Sequence, residues 1–286
     1  MKEEAISVVY NNMANWDILS SRGKVQDRRA FGPTAKIGGG LSLTGLAVVL
    51  LLNYLGGGDL SDVLTQLNTT QVHPVQDYES TDFEGTDEYE VFTSTVLGSN
   101  NDMWSDIFAQ SNRTYEPPLL VLFRGSTESA CGGAHALSGP HYCPLDETIY
   151  LDETFFEELT QKPGAQGGDV AQAYVISHEV AHHAQNELGI MGRAGRSNEM
   201  SIKLELQADC FAGLWAHSIK DLGVFGQGEI HEAIDAARSV GDDHIQETTT
   251  GSINPEQWTH GSSEDRVTWF NKGYNSGSVV QCDTFN

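Results

Sequence analysis

The sequence predicts an α+β protein: a mostly helical domain with a small antiparallel sheet, preceded by one N-terminal transmembrane helix. Three observations carry this. Residues 169–188 and 198–214 repeat apolar side chains at helical spacing, Ala171, Val175, Val180 and Ala181 in the first and Ile202, Leu204, Leu206, Cys210 and Leu214 in the second. Short apolar runs bounded by turn residues, at 119–123, 139–143 and 147–152, read as strands. Residues 37–55 hold no charged side chain at all.

The first 36 residues carry six basic and four acidic side chains and read as a basic cytoplasmic tail. The uncharged run that follows is close to the roughly 20 residues one helix needs to cross a bilayer. Basic residues precede it and only Asp59 and Asp62 follow closely, which places the N-terminus in the cytoplasm and the rest outside. A long stretch before the run and no small-residue cleavage site after it favour an uncleaved anchor over a signal peptide. Residues 56–86, opening Gly-Gly-Gly-Asp, read as an acidic flexible linker with one short helix near 60–67. The folded domain then occupies 87–286. One or two amphipathic helices start at Glu88, Pro117-Pro118 close them, and 119–123 is a buried strand. The next two strands pair antiparallel through a Pro-Leu-Asp turn and lead into a helix from about Glu153. A further helix is expected at 228–240, and Ser262 caps a last one carrying Arg266, Trp269 and Phe270.

The 286 residues hold 16 basic against 40 acidic side chains, a net charge of −24. That balance argues against nucleic acid as a partner of the main domain. With only seven lysines it resembles a salt-adapted or otherwise acidic extracytoplasmic protein.

The chemistry centres on His178-Glu179-Val-Ala-His182, an H-E-x-x-H motif. Residues four apart share a helix face, so both imidazoles can reach one metal ion. Glu179, beside the first of them, can reach a metal-bound water without ligating. A catalytic zinc site has three protein ligands and one open position. Glu205 on the following helix is the expected third ligand, with Glu199 its rival. Asn198 is the expected N-cap of that helix, and Gly189 the stop of the one before. Asp209, one turn after Glu205, can accept a hydrogen bond from a ligating histidine and fix its tautomer. His183 points about a hundred degrees away from His182 and reads as a packing histidine. His260, just before the Ser262 cap, could offer a donor to a developing oxyanion; by spacing alone it is equally a surface turn histidine. Cys131, Cys143, Cys210 and Cys282 are an even set in a disulfide-permissive place. Cys131–Cys143 and Cys210–Cys282 are the expected bridges, with free buried thiols as the alternative.

In this order the motifs resemble the bacterial membrane-anchored family described as "Putative neutral zinc metallopeptidase". The resemblance runs from Lys-Val-Gln-Asp27-Arg28-Arg29 through Ser129-Ala-Cys131-Gly, Gly139-Pro-His-Tyr-Cys143-Pro and the H-E-x-x-H helix. It continues through Leu204-Glu-Leu-Gln-Ala-Asp-Cys210, Gly241-Asp-Asp-His-Ile-Gln246, Thr259-His-Gly-Ser-Ser-Glu-Asp-Arg266 and Cys282-Asp-Thr-Phe285. Residues 1–12 have no counterpart in it, so Met13 is an alternative start. That family is similar to gluzincin-type peptidases, which use H-E-x-x-H, a downstream Glu-x-x-x-Asp helix and a Thr-His-Pro…Arg element. Glu205/Asp209 and His260/Arg266 fall on those positions, with Gly261 where the distant relatives have proline. The resemblance implies a zincin-like fold, a Zn2+ cofactor, peptide or protein substrates and a metalloendopeptidase activity with Glu179 as general base. It implies no nucleic acid. A second class of function, a membrane-anchored binding or scaffold protein with a structural zinc, is separated from the first by whether a fourth protein ligand closes the site.

Overall fold

A computed structural model describes residues 14–29, 87–135, 139–155, 168–194, 197–226 and 228–285. It is α+β, with helices layered on one face of a four-stranded sheet. The strands are β1 (Val25–Asp27), β2 (Leu119–Phe123), β5 (His141–Cys143) and β6 (Thr148–Asp152), in the order β1-β2-β6-β5. A hairpin of β3 (Ser126–Ser129) and β4 (Gly132–His135) forms a separate two-stranded sheet. β5 and β6 pair antiparallel as expected. The sheet as a whole is mixed, which corrects the antiparallel expectation: β2 runs parallel to both β1 and β6. Between β2 and β6 the chain passes through the hairpin and β5, so β6 returns in the direction of β2.

Strand alternation divides the sheet. Leu120, Leu122, Ile149 and Leu151 are fully buried in the main core with the helices. Val121, Phe123, Tyr150 and Cys143 form a smaller cluster on the other face. The first helix, α1 (Glu88–Gln110), is one continuous element capped by Asp87, whose carboxylate accepts from the Glu90 N–H. The others are α2 (Asp169–Glu187), α3 (Met191–Ala194), α4 (Asn198–Ile219), α5 (Ile230–Ser239), α6 (Asp242–Thr250) and α7 (Ser263–Ser276). Helix α7 packs on α4 backbone to backbone: a Cβ on Gly273 would overlap the Cys210 carbonyl, and one on Gly213 the Phe270 carbonyl. Gly273→Ala is therefore expected to cost about 1–3 kcal/mol, read from urea unfolding.

Disulfides join Cys131 to Cys143 and Cys210 to Cys282, with Cα separations of 5.8 and 5.5 Å. The first ties the hairpin to β5, the second the C-terminal segment to α4.

Residues 14–29 lie against this same fold. The Asp169 carboxylate accepts from the Ala14 N–H at 2.9 Å and the Trp16 indole at 2.6 Å. Gly23 exchanges hydrogen bonds with Ser94 on α1, and Val25 sits opposite Leu120 in the sheet. Arg29 pairs with Asp27, Asp87 and Glu153.

The membrane expectations are overturned here. Among the described residues no helix is long and apolar enough to cross a membrane. The run at 37–55, like the linker at 56–86, lies outside the described residues. A single crossing at 37–55 would put Val25 and Leu120 on opposite sides of a bilayer, yet they are neighbours in one sheet. The transmembrane helix, the single-pass topology with a cytoplasmic tail, and membrane partnership through that helix are thus not supported.

Candidate metal centre

Helix α2 is preceded by Gly168 in extended conformation, carries Asp169 in its first turn, and is closed by Leu188 before Gly189, whose φ is +69°. Val170, Ala173, Tyr174, Ile176 and Ala181 are buried along it, so its orientation is set by packing. His178 and His182 then fall on one face, with ring centroids 4.7 Å apart. Helix α4 is capped by Ser197, which accepts from the Met200 N–H; Asn198, the expected cap, is the first helical residue. Buried Leu206, Ala208 and Cys210 fix its roll, and Glu205 and Asp209 face α2.

These helices bring His178, His182 and Glu205 together, with one ligand atom from each lying within 4.8 Å of the others. Glu205 Oε2 is 3.1 Å from His178 Nε2, and Oε1 is 3.4 Å from His182 Nε2. Glu199 instead pairs with Lys203 on the exposed side of α4. Each imidazole is held from behind. His178 Nδ1 lies 2.9 Å from Asp209 Oδ1, and His182 Nδ1 lies 2.9 Å from Gln185 Oε1. Gln185 is itself fixed, donating to the Leu204 carbonyl and to Gln207. In the neutral imidazoles, acceptors at both Nδ1 atoms hold the proton there, so that each Nε2 is the nitrogen available to a metal beside Glu205.

Asp209 is wholly buried and fully used. Oδ1 accepts from Tyr174 at 2.5 Å and from Arg266 Nη2 at 2.9 Å, while Oδ2 accepts from Arg266 Nε at 2.8 Å. The bidentate guanidinium supplies the charge that such burial demands. Burial pushes the Asp209 carboxyl up, yet the Arg266 charge and the bonds from His178 and Arg266 hold it below the usual range. Burial opposes charge on His178, but the bonds to Asp209 and Glu205 outweigh it and raise its pKa to about 10. His182 is raised against burial by the Glu205 charge. Both histidines thus sit where a positive charge is stabilised. That is the test a metal must pass: two imidazole nitrogens and a carboxylate oxygen converge on a point that favours a cation, and this donor set suits zinc.

Glu179 is 7 % exposed and lines the same cleft of about 510 Å3 as His178, His182 and Glu205. His183 is not among the metal-facing groups. It is fully buried between Tyr142 and the Glu116 carbonyl, and burial lowers its pKa. His260 does reach the cleft, with its side chain about half exposed. Its Nδ1 lies 3.2 Å from Asp242 Oδ1, while Asp242 Oδ2 accepts the backbone N–H groups of Thr259, His260 and Gly261. Gly261 has φ +91° and a Cβ there would press on Ile202 and Leu206, so this turn excludes the proline of the distant relatives. Arg266 also lines the cleft, but its guanidinium is paired bidentately with Asp209.

Sequence reasoning missed Tyr174, Gln185 and Asp242. The first two were within reach: Tyr174 lies four residues before His178 and Gln185 three after His182, both helical spacings. Nothing in the spacing ties Asp242 to His260.

Two helices that set H-E-x-x-H against Glu-x-x-x-Asp define a zinc-metallopeptidase type of metal centre. The chain belongs to the family described as "Putative neutral zinc metallopeptidase", whose profile matches residues 14–285. The family implies zinc, and His178, His182 and Glu205 are the described group that could hold it. The chain is similar to "Uncharacterized protein YpfJ" of Escherichia coli K12, 39% identical over 289 residues covering 94% of this chain and 98% of that one. It is also similar to "Uncharacterized protein Rv2575" of Mycobacterium tuberculosis, 42% identical over 186 residues covering 60% of this chain and 64% of that one. No solved structure shows a significant match.

Proposed function

We propose that this chain is a zinc-dependent peptidase acting on peptide or protein substrates, with His178, His182 and Glu205 as ligands. The observation that carries the reading is the three-donor cluster with Glu179 in the same cleft. Among the described residues three donors, not four, converge there, which suits a catalytic site and supports this over a structural-zinc scaffold. Zinc bound there supplies Lewis acidity, bringing a water toward ionisation at neutral pH and polarising a carbonyl. Glu179 takes the proton of the attacking water and delivers it to the leaving amine. Asp209 and Gln185 keep the two imidazoles in the tautomer that exposes Nε2. His260, held at Nδ1 by Asp242, offers its other nitrogen to the developing oxyanion. The edge strand β5, whose residues line the cleft, receives the substrate backbone by strand addition.

The test is metal removal. Dialysis against a chelator should abolish hydrolysis of casein, and one equivalent of zinc should restore it. His178→Ala should lose both zinc and activity. Activity that survives full chelation would exclude the proposed chemistry.

A further inference from the structure

Glu179 and His183 are four residues apart on α2 and therefore lie along one face of that helix. His183 is fully buried, and its two nitrogens are both engaged. Nε2 lies 2.6 Å from the Glu116 carbonyl, which can only accept, so Nε2 carries the proton. Nδ1, 3.1 Å from the Tyr142 hydroxyl, accepts the tyrosine proton. Asn186, one turn after His182, donates to the same hydroxyl at 3.2 Å. Tyr142 thus makes one hydrogen bond as donor and one as acceptor, both to α2. The His183 ring is packed edge-on by Tyr115 and Tyr142, each with centroids 5.4 Å away.

Tyr142 is the middle residue of β5, whose partner among the described residues is β6 alone. Its neighbours Gly139, Pro140 and His141 line the cleft that holds Glu179. The next residue, Cys143, is bonded to Cys131. So the helix turn that follows the proposed base is fastened to the strand that, among the described residues, borders the cleft.

We propose that Tyr142 is a positioning residue: through it, His183 and Asn186 fix β5 relative to Glu179, and so set where a substrate strand added to β5 presents its scissile carbonyl. The inference rests on the peptidase reading above. Releasing the strap leaves β5 able to pair with substrate but out of register with Glu179, and small misplacements cost rate rather than affinity.

The experiment compares the zinc-loaded wild type with Tyr142→Phe and Asn186→Ala on fluorescein-labelled casein. Tyr142→Phe should lower kcat about tenfold to a hundredfold, with KM within about twofold and zinc content retained. Asn186→Ala should act in the same direction, more weakly, and serves alone if Tyr142→Phe does not fold. In the Glu179→Gln background, added casein should slow amide exchange across His141–Cys143. Unchanged kcat in the folded variants, a raised KM at unchanged kcat, or no exchange protection would each overturn the proposal. Wild type that hydrolyses nothing, or activity independent of Glu179, would instead bring down the peptidase reading and this inference with it.

Discussion

Glu179→Gln is expected to retain one zinc per chain and to lose peptide hydrolysis by about 10²–10⁴-fold. The amide preserves the size and shape of the side chain but cannot take a proton from water. Zinc should stay because Glu179 is outside the donor cluster, which consists of His178, His182 and Glu205. The change also leaves α2 intact, since the helix is oriented by Val170, Tyr174, Ile176 and Ala181 on its buried side. Metal content by elemental analysis, run beside the casein assay, separates loss of chemistry from loss of the ion. A purified variant that hydrolyses at the wild-type rate would refute the assignment of Glu179 as the base.

The second large effect concerns stability. Arg266→Met removes the guanidinium that neutralises Asp209 and leaves a carboxylate with 0 % exposure partnered only by His178 and Tyr174. Breaking a buried pair in this way costs about 3–5 kcal/mol, because the surviving charge can neither reach water nor find a new partner. It also frees the acceptor that holds His178 Nδ1, so zinc affinity should fall with stability. Pairing the change with Asp209→Asn removes the orphan charge and should recover much of the unfolding free energy but not the zinc affinity. Denaturation of the two variants in urea, with and without zinc, checks both statements. Unfolding of Arg266→Met within about 1 kcal/mol of wild type would show that the pair is not what it looks like.

What the sequence made legible was local. The four-residue spacing of His178 and His182, and of Glu205 and Asp209, needs only the pitch of a helix, and both pairs face the site. The β5–β6 pairing was legible because a short turn joins the strands. The parallel neighbours of β2 were not, since no local signal pairs Val25 with Leu120 or Leu120 with Ile149. Those contacts depend on how the helices bring distant segments together. The same limit hid the bond from Asp242 to His260 and the grip of Asp169 on residues 14–16. The apolar run at 37–55 shows the opposite hazard. A compositional pattern supported a membrane topology that the placement of Val25 in the sheet contradicts.

The pairing of Asp209 with Arg266 also bears on the order in which the protein can become complete during synthesis. The two histidines, Glu205 and Asp209 all leave the ribosome before Arg266, which follows Asp209 by 57 residues. Until Arg266 arrives, Asp209 has only Tyr174 and His178 to satisfy it, and α4 lacks the α7 surface that packs against Gly213. A nascent chain long enough to carry all three proposed metal ligands still lacks the cation that neutralises buried Asp209. Zinc capture at the proposed ligands is therefore expected to await α7, and a chain stalled between Asp209 and Arg266 should be left without a finished centre.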